Sequence, residues 1–202
     1  AMITRILLLF SVSYLIALKE PFLTVDIGWF KTAITGQSII LLIGGIFLLY
    51  KSTNEIRQKV ENTNEEQVLK TPKVISFKSV IIQIILIDIV FSFDSILTAV
   101  GMTNGVDGAL LIMIFAVIIS IIIMMIFSKP ISNYVNNNPT IQMLALSFLI
   151  LIGFMLITEG AHLSHTEIFN KTVGVIPKGY LYFAIAFSLS VEMINLRIRK
   201  KK

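Results

Sequence analysis

The feature that most constrains this chain is a series of long apolar runs without charge. The clearest extends from Ala109 to Phe127, and as a helix it would be about 28 Å long, close to the roughly 30 Å hydrocarbon core of a bilayer. Only 14% of the residues are charged and the mean hydropathy is +0.86, whereas soluble domains carry about 25% charged residues. The chain is therefore predicted to be an integral membrane protein, with the lipid bilayer as its main partner.

Six segments are predicted as helices of an all-α, polytopic transmembrane bundle, a single domain over residues 1–202. Segments A to F cover residues 3–18, 33–50, 74–101, 109–127, 141–158 and 175–196. Segment A is short for a span, and the opening Ala1-Met2 has no polar lead, which indicates that the sequence begins inside a helix of a longer protein. A signal peptide is the alternative, but Lys19-Glu20-Pro21 makes a poor cleavage site.

The basic residues are distributed unequally between the two sides of the bundle. If six helices alternate in direction, 12 lysines and arginines fall on the side of the linker 51–73 and the C-terminal tail, and 4 on the other side. The positive-inside rule makes the first side, and the C-terminus, cytoplasmic. The linker is expected to extend segment B for a few turns, since Glu55 and Lys59 form an i,i+4 pair. Because the net charge of +5 lies mainly in these two places, no nucleic acid partner is expected.

A weak internal repeat relates segments A and B to segments D and E. Leu18-Lys19-Glu20-Pro21 resembles Ser128-Lys129-Pro130, and Leu42-Ile43-Gly44 resembles Leu151-Ile152-Gly153. The two copies would have opposite orientation, as in transporters whose substrate binds near the midplane between inverted repeats. The alternative is that apolar helices resemble one another by composition.

Segment C carries the strongest chemical signal of the chain. It contains Asp88, Ser92, Asp94 and Ser95 within an apolar run. A carboxylate at a helix centre costs about 2.5 to 3.5 kcal/mol on insertion scales, so two in one span indicate partners or a function. No lysine or arginine is predicted at comparable depth in segments B to F, and Arg5 in segment A is the one intramembrane cation expected.

The spacing of the two aspartates limits how they could act together. In an unbroken helix Asp94 lies about 120° around the axis and about 9 Å along it from Asp88. Both could contact one ion only if the helix breaks near residues 91–95, as transporter helices do at cation sites. The alternative is that one aspartate pairs with Arg5 while the other faces a wet cavity.

A second polar cluster, at the outer end of segment E, comprises Glu159, His162 and His165. For Glu159, a role in metal entry and a place in a plain loop are equally supported, and for the two histidines the loop is favoured. The chain has no cysteine, which excludes thiolate metal sites and leaves oxygen or imidazole ligands.

The run from Asp88 to Met102, DIVFSFDSILTAVGM, resembles the second acidic motif of the TerC family of integral membrane proteins. Ser128-Lys129-Pro130, Ile152-Gly153-Phe154 and the stretch from Ile176 to Tyr180 are also similar to that family's pattern. The resemblance implies seven helices with an inverted repeat, a link to tellurium resistance, manganese export by several members, and a bacterial cytoplasmic (inner) membrane location. It implies metal ligands at these positions: Asp88, Asp94, Ser92, Ser95 and, more weakly, Glu159. The family's first helix, with a matching Glu and Asp-Asn motif, has no counterpart here.

Together these features favour an exporter of a divalent metal cation, with Mn²⁺ as the transported ion and no tightly bound cofactor. Hard carboxylate and hydroxyl oxygens suit Mn²⁺. The alternative is a membrane factor without transport activity that assists insertion or assembly of exported proteins. An enzyme is not expected, because the sequence has no His-Glu-x-x-His pair and no Gly-rich phosphate loop. A homo-oligomer is left open.

Overall fold

The computed structural model describes residues 5, 7, 10, 11, 18–64, 77–103 and 106–199. The helices are α1 (Gly36–Asn64), α2 (Phe77–Met102), α3 (Ala109–Asn136), α4 (Pro139–Leu163) and α5 (Lys178–Arg199). The strands are β1 (Pro21–Asp26), β2 (Phe30–Thr35), β3 (Glu167–Ile168) and β4 (Lys171–Thr172). Among the described residues, 5 helices are long and apolar enough to cross a membrane, which confirms a helical membrane bundle.

Helices α1 to α5 correspond to predicted segments B to F. Segment A lies mostly outside the described residues, but its described members Arg5, Leu7 and Phe10 are helical. Residues 65–73 of the predicted linker and residues 74–76 of segment C also lie outside the described residues. The part of the chain that the structure describes therefore gives five of the six predicted helices. The expectation of seven helices is not confirmed.

The start of segment B was predicted wrongly, because residues 33–35 belong to a β-hairpin. β1 and β2 pair antiparallel over a run rich in Thr, Val and Ile, residue types that favour strands. Gly28 turns the chain with a φ of 81° and donates its N–H to the Asp26 carboxylate at 3.0 Å. Helix α1 then begins with reciprocal caps between Thr35 and Ser38, each backbone N–H donating to the other's hydroxyl at 3.1 Å.

Two helices extend further than the sequence predicts, and the predicted extension of α1 into the linker is confirmed. α3 continues through Pro130 to Asn136, so the proline does not end it. α4 continues through Gly160 to Leu163, because this glycine serves close packing: a Cβ there would lie 3.0 Å from the Ser38 carbonyl oxygen of α1. α1 continues into the predicted linker as far as Asn64 and carries the ion pairs Lys51–Glu55 and Arg57–Glu61, each at 2.6 Å.

The tightest helix contact joins α1 to α4 through glycines. A Cβ on Gly45 would lie 2.6 Å from the Gly153 carbonyl oxygen, and a Cβ on Gly153 would lie 3.0 Å from the Gly45 carbonyl oxygen. Small residues let helix backbones approach in this way in membranes. The core around this contact also receives α2 and α3 side chains. Its buried members are Leu41, Leu48, Val90, Phe93, Ile96, Met113 and Leu156.

A four-stranded antiparallel sheet, in the order β1-β2-β3-β4, joins the beginning of α1 to the end of α4. Phe30 pairs with Ile168, and Lys31 pairs with Glu167. The Ala33 N–H donates to the Ser164 carbonyl at 2.7 Å, just beyond the end of α4. The sheet thus lies at one end of the bundle. α1 runs away from the sheet and α4 runs towards it, so the two helices are antiparallel.

Candidate functional site

Helix α2 carries both intramembrane aspartates and is continuous from Phe77 to Met102. The break near residues 91–95, which the two aspartates would need in order to contact one ion, is therefore not present. Two hydroxyls in this part of the helix hydrogen-bond within it: Ser95 Oγ donates to the Phe91 carbonyl at 2.7 Å, and Thr98 Oγ1 donates to the Asp94 carbonyl at 2.9 Å. Because the helix is intact, Asp88 and Asp94 lie on different faces, and each has its own surroundings.

Asp94 lies against an ammonium group from another helix. Lys178 Nζ is 2.8 Å from Asp94 Oδ1 and 2.9 Å from Oδ2, and it donates to Thr98 Oγ1 at 2.7 Å. Asp94 and Thr98 are one helical turn apart, so they face the same side of α2. The lysine and aspartate side chains are 22% and 14% exposed, which makes this a largely buried charge pair.

Glu159 brings a second carboxylate to the same ammonium. Its Oε2 lies 3.7 Å from Lys178 Nζ, and its side chain is 15% exposed. That oxygen is buried and makes no hydrogen bond. With both carboxylates ionised, one positive and two negative charges give the cluster a formal charge of −1. Asp94, Thr98, Glu159 and Lys178 are hereafter called the acidic pocket.

Lys178 was missed by sequence reasoning, which only counted it among the basic residues on the outer side, at the start of segment F. The structure makes it the first residue of α5, directly after Pro177. Its four-carbon side chain places the charge well away from its own backbone, on α2. The signal in the sequence is one lysine at the edge of an apolar segment, in a chain whose buried aspartate needs a partner.

Asp88 pairs with Arg5, as one of the sequence alternatives proposed. Arg5 Nη2 lies 3.5 Å from Asp88 Oδ1, with side-chain exposures of 23% and 13%. A cavity of about 340 Å³ between α2 and α3 is lined in part by Arg5 and Ser95. Asp88 and Asp94 thus have separate cationic partners.

Ser92 and the two histidines have other surroundings. Ser92 is buried, its hydroxyl makes no hydrogen bond in the described part of the chain, and it lies about 160° around α2 from Asp94. His162 is exposed, with Nδ1 3.0 Å from the Val173 carbonyl oxygen. His165 is exposed in the turn after α4, with a φ of 47°.

The donor atoms of the acidic pocket are of the kind that suits a cation. It offers two carboxylates and one hydroxyl, which are hard oxygen donors, and its basic member neutralises only one of the two acids. Within the described residues, no three His, Asp or Glu side chains lie close enough to bind a metal ion by themselves. A metal here would therefore complete its coordination with water, as Mn²⁺ and Mg²⁺ commonly do.

Comparison with known proteins gives consistent relatives. A UPF0053 protein of Haemophilus influenzae is 44% identical over 200 residues, which cover 99% of this chain and 76% of that protein. The UPF0053 inner membrane protein YgdQ of Escherichia coli is 43% identical over 202 residues, 100% of this chain and 76% of its own length. The UPF0053 protein YegH of the same species is 40% identical over 195 residues, 96% of this chain and 33% of its own length.

No solved structure matches the chain. The pattern described as "Integral membrane protein TerC family" matches residues 1–202, which is the whole sequence. The resemblance of the helix α2 motif is thereby confirmed. This chain belongs to the TerC family of integral membrane proteins.

Proposed function

We propose that this chain is a transporter of the bacterial inner membrane that exports a divalent metal cation such as Mn²⁺. The observation that supports the proposal is the acidic pocket, in which carboxylates of two different helices converge on one positive charge inside an apolar bundle. The uncompensated carboxylate is what a transported cation would neutralise, since an unpaired charge is costly to bury. The activity moves an ion and needs no covalent chemistry.

The proposed substrate ligands are Asp94 and Glu159, with the Thr98 hydroxyl beside them. Asp94 lies about eight residues, or about 12 Å, before the end of α2, and Glu159 lies four residues before the end of α4. Both residues therefore lie inside the bundle, near the end that carries the sheet. Asp88, Ser92 and Ser95 stay predicted ligands from the sequence, and with α2 intact they belong to other faces of that helix.

The first experiment measures manganese in cells that express the full-length protein. Asp94→Asn keeps the shape of the side chain and removes its charge, so it should abolish export and raise cellular manganese. Asp107→Asn is the matched control, because Asp107 is exposed in the turn between α2 and α3 and should behave as wild type. Cellular manganese equal to wild type in Asp94→Asn would refute the proposal. Growth on tellurite in the same strains tests the tellurium-resistance role.

A second candidate function is a membrane factor that assists insertion or assembly of exported proteins without transport. The observation in its favour is that both intramembrane aspartates have basic partners, Arg5 and Lys178, as structural ion pairs do. The double variant Asp94→Asn/Lys178→Gln separates the two functions. It replaces the pair by neutral groups, so a structural role should survive it, whereas metal export should still be lost.

A further inference from the structure

We propose that Lys178 is a tethered cation that competes with the transported metal for Asp94 and Glu159. The inference rests on the proposed function and adds the device that controls occupancy of the site. Its starting point is the position of the ammonium: Lys178 Nζ has oxygens of Asp94, Thr98 and Glu159 at 2.7 to 3.7 Å. Those oxygens come from two other helices, so the lysine occupies the place that a bound cation would take.

The ammonium and a dication exclude each other by charge. The two carboxylates supply at most two negative charges, and a dication together with the lysine would bring three positive charges within a few ångströms. Like charges at such distances repel strongly in a partly buried site, where water screens them poorly. The lysine must therefore leave the carboxylates when the metal binds, and it returns when the metal leaves.

The surroundings of Lys178 permit this withdrawal. It is the first residue of α5, and residues 173–177 before it lie outside any helix or strand. Gly179 has no neighbouring atom within 4 Å of an added Cβ, and Leu181 is the one buried residue of the helix. The ammonium can thus leave by rotation of its own flexible side chain or by a small shift of the α5 N-terminus.

The competition has two consequences for transport. In the metal-free protein the lysine neutralises one buried carboxylate, so the empty carrier does not expose the apolar bundle to two unpaired negative charges. The lysine also selects divalent over monovalent ions, because a monovalent ion gains no more electrostatic interaction energy from the carboxylates than the tethered ammonium does. A dication gains about twice as much and displaces it.

The first test measures Mn²⁺ affinity of the purified full chain in detergent by titration calorimetry. Lys178→Gln removes the competitor and should bind Mn²⁺ tighter by about tenfold or more. It should also show competition by Na⁺ that wild type lacks. Lys178→Arg keeps the charge and should stay near wild type. Lys171→Gln, at an exposed lysine in β4, is the control and should not change the affinity.

The second test uses the wild-type chain, so it does not depend on a variant that folds. Lysines are labelled with an amine-reactive reagent with and without Mn²⁺, and the labelled positions are identified by mass spectrometry. Mn²⁺ should increase labelling of Lys178, while Lys171 should be labelled equally in both samples. Na⁺ at matched ionic strength should leave Lys178 protected.

The outcomes separate the two proposals. Mn²⁺ that binds wild type and Lys178→Gln with equal affinity, and leaves Lys178 protected from label, overturns the competition and leaves transport standing. Absence of Mn²⁺ binding to wild type and all variants overturns the proposed function and this inference with it. Tighter binding by Lys178→Gln with Mn²⁺-dependent labelling of Lys178 supports both.

Discussion

At the scale of single residues, Thr98 links the charged groups of the acidic pocket. Its hydroxyl donates to the Asp94 carbonyl at 2.9 Å and accepts from Lys178 Nζ at 2.7 Å. The same oxygen therefore anchors the ammonium and completes a hydrogen bond within α2. A residue of this shape without the hydroxyl would leave the ammonium one acceptor short.

Thr98→Val tests this link, because valine keeps the β-branched shape and removes both hydrogen bonds. The variant should be less stable by about 1 to 3 kcal/mol, the usual cost when a buried polar group loses its partner. Thermal unfolding of the purified chain in detergent measures the difference. Thr98→Ser keeps the hydroxyl and should stay closer to wild type. Equal melting of Thr98→Val and wild type would contradict the assigned role.

The residue scale is also where the sequence was most and least informative. Asp94 could be singled out because an acid in an apolar span is unfavourable without a partner. Glu159, just beyond segment E, was left between a role in metal entry and a plain loop. Lys178 could not be singled out, because its role depends on the docking of the α5 N-terminus beside α2 and α4. Sequence spacing within one helix predicts which side chains share a face, and it carries no information on which face meets another helix.

At the scale of elements, the length of the uncharged segments predicted the five helices. The ends of the helices depended on their surroundings in the fold. Pro130 and Gly160 are residues that commonly end helices, and both lie inside helices here. Gly160 lies against α1, where a side chain would not fit. The hairpin of β1 and β2 was missed because its short strands lie between two apolar segments and read as a loop. Its partner strand β3 is distant in sequence.

The α1–α4 contact gives a prediction at this scale. A methyl group on Gly45 would lie 2.6 Å from the Gly153 carbonyl oxygen, and backbone cannot move aside as a flexible side chain can. Gly45→Ala should therefore destabilise the protein by about 1 to 3 kcal/mol, measured by thermal unfolding in detergent.

Gly101→Ala is the matched control for this prediction. Gly101 is also helical, but an added Cβ there meets no atom within 4 Å. The change should leave stability equal or raise it by up to about 1 kcal/mol, since alanine favours helix more than glycine does. A Gly45→Ala protein as stable as Gly101→Ala would show that the two helices are not held this closely.

At the scale of the whole molecule, the alternation of helices gives the bundle two distinct ends. The sheet lies at one end, and Lys59 of α1 donates to Gln142 of α4 far from it. The charge distribution of the sequence predicts that the sheet end faces outward and the other end faces the cytoplasm. The antiparallel contact of α1 with α4 is also what an axis between inverted repeats would produce, and the repeat stays a prediction.

Single cysteines test the orientation, because the sequence contains none and each introduced thiol is unique. Lys171→Cys lies in β4 at the sheet end, and Asn137→Cys lies just after α3 at the other end. A membrane-impermeant maleimide should label the first in intact spheroplasts and the second only after the membrane is permeabilised. The reverse pattern would invert the orientation and place the C-terminus outside.

The glycine contact and the sheet together have a mechanical consequence. Because β2 pairs with β3 at one end and Gly45 meets Gly153 in the middle, α1 and α4 are held together as one body at two places. Glu159 belongs to that body, whereas Asp94 and Lys178 belong to α2 and α5, which are attached less tightly. Movement of α2 or α5 would therefore change the separation of the charged groups without separating α1 from α4. The acidic pocket thus lies between the closely joined pair α1 and α4 and the two more loosely attached helices α2 and α5.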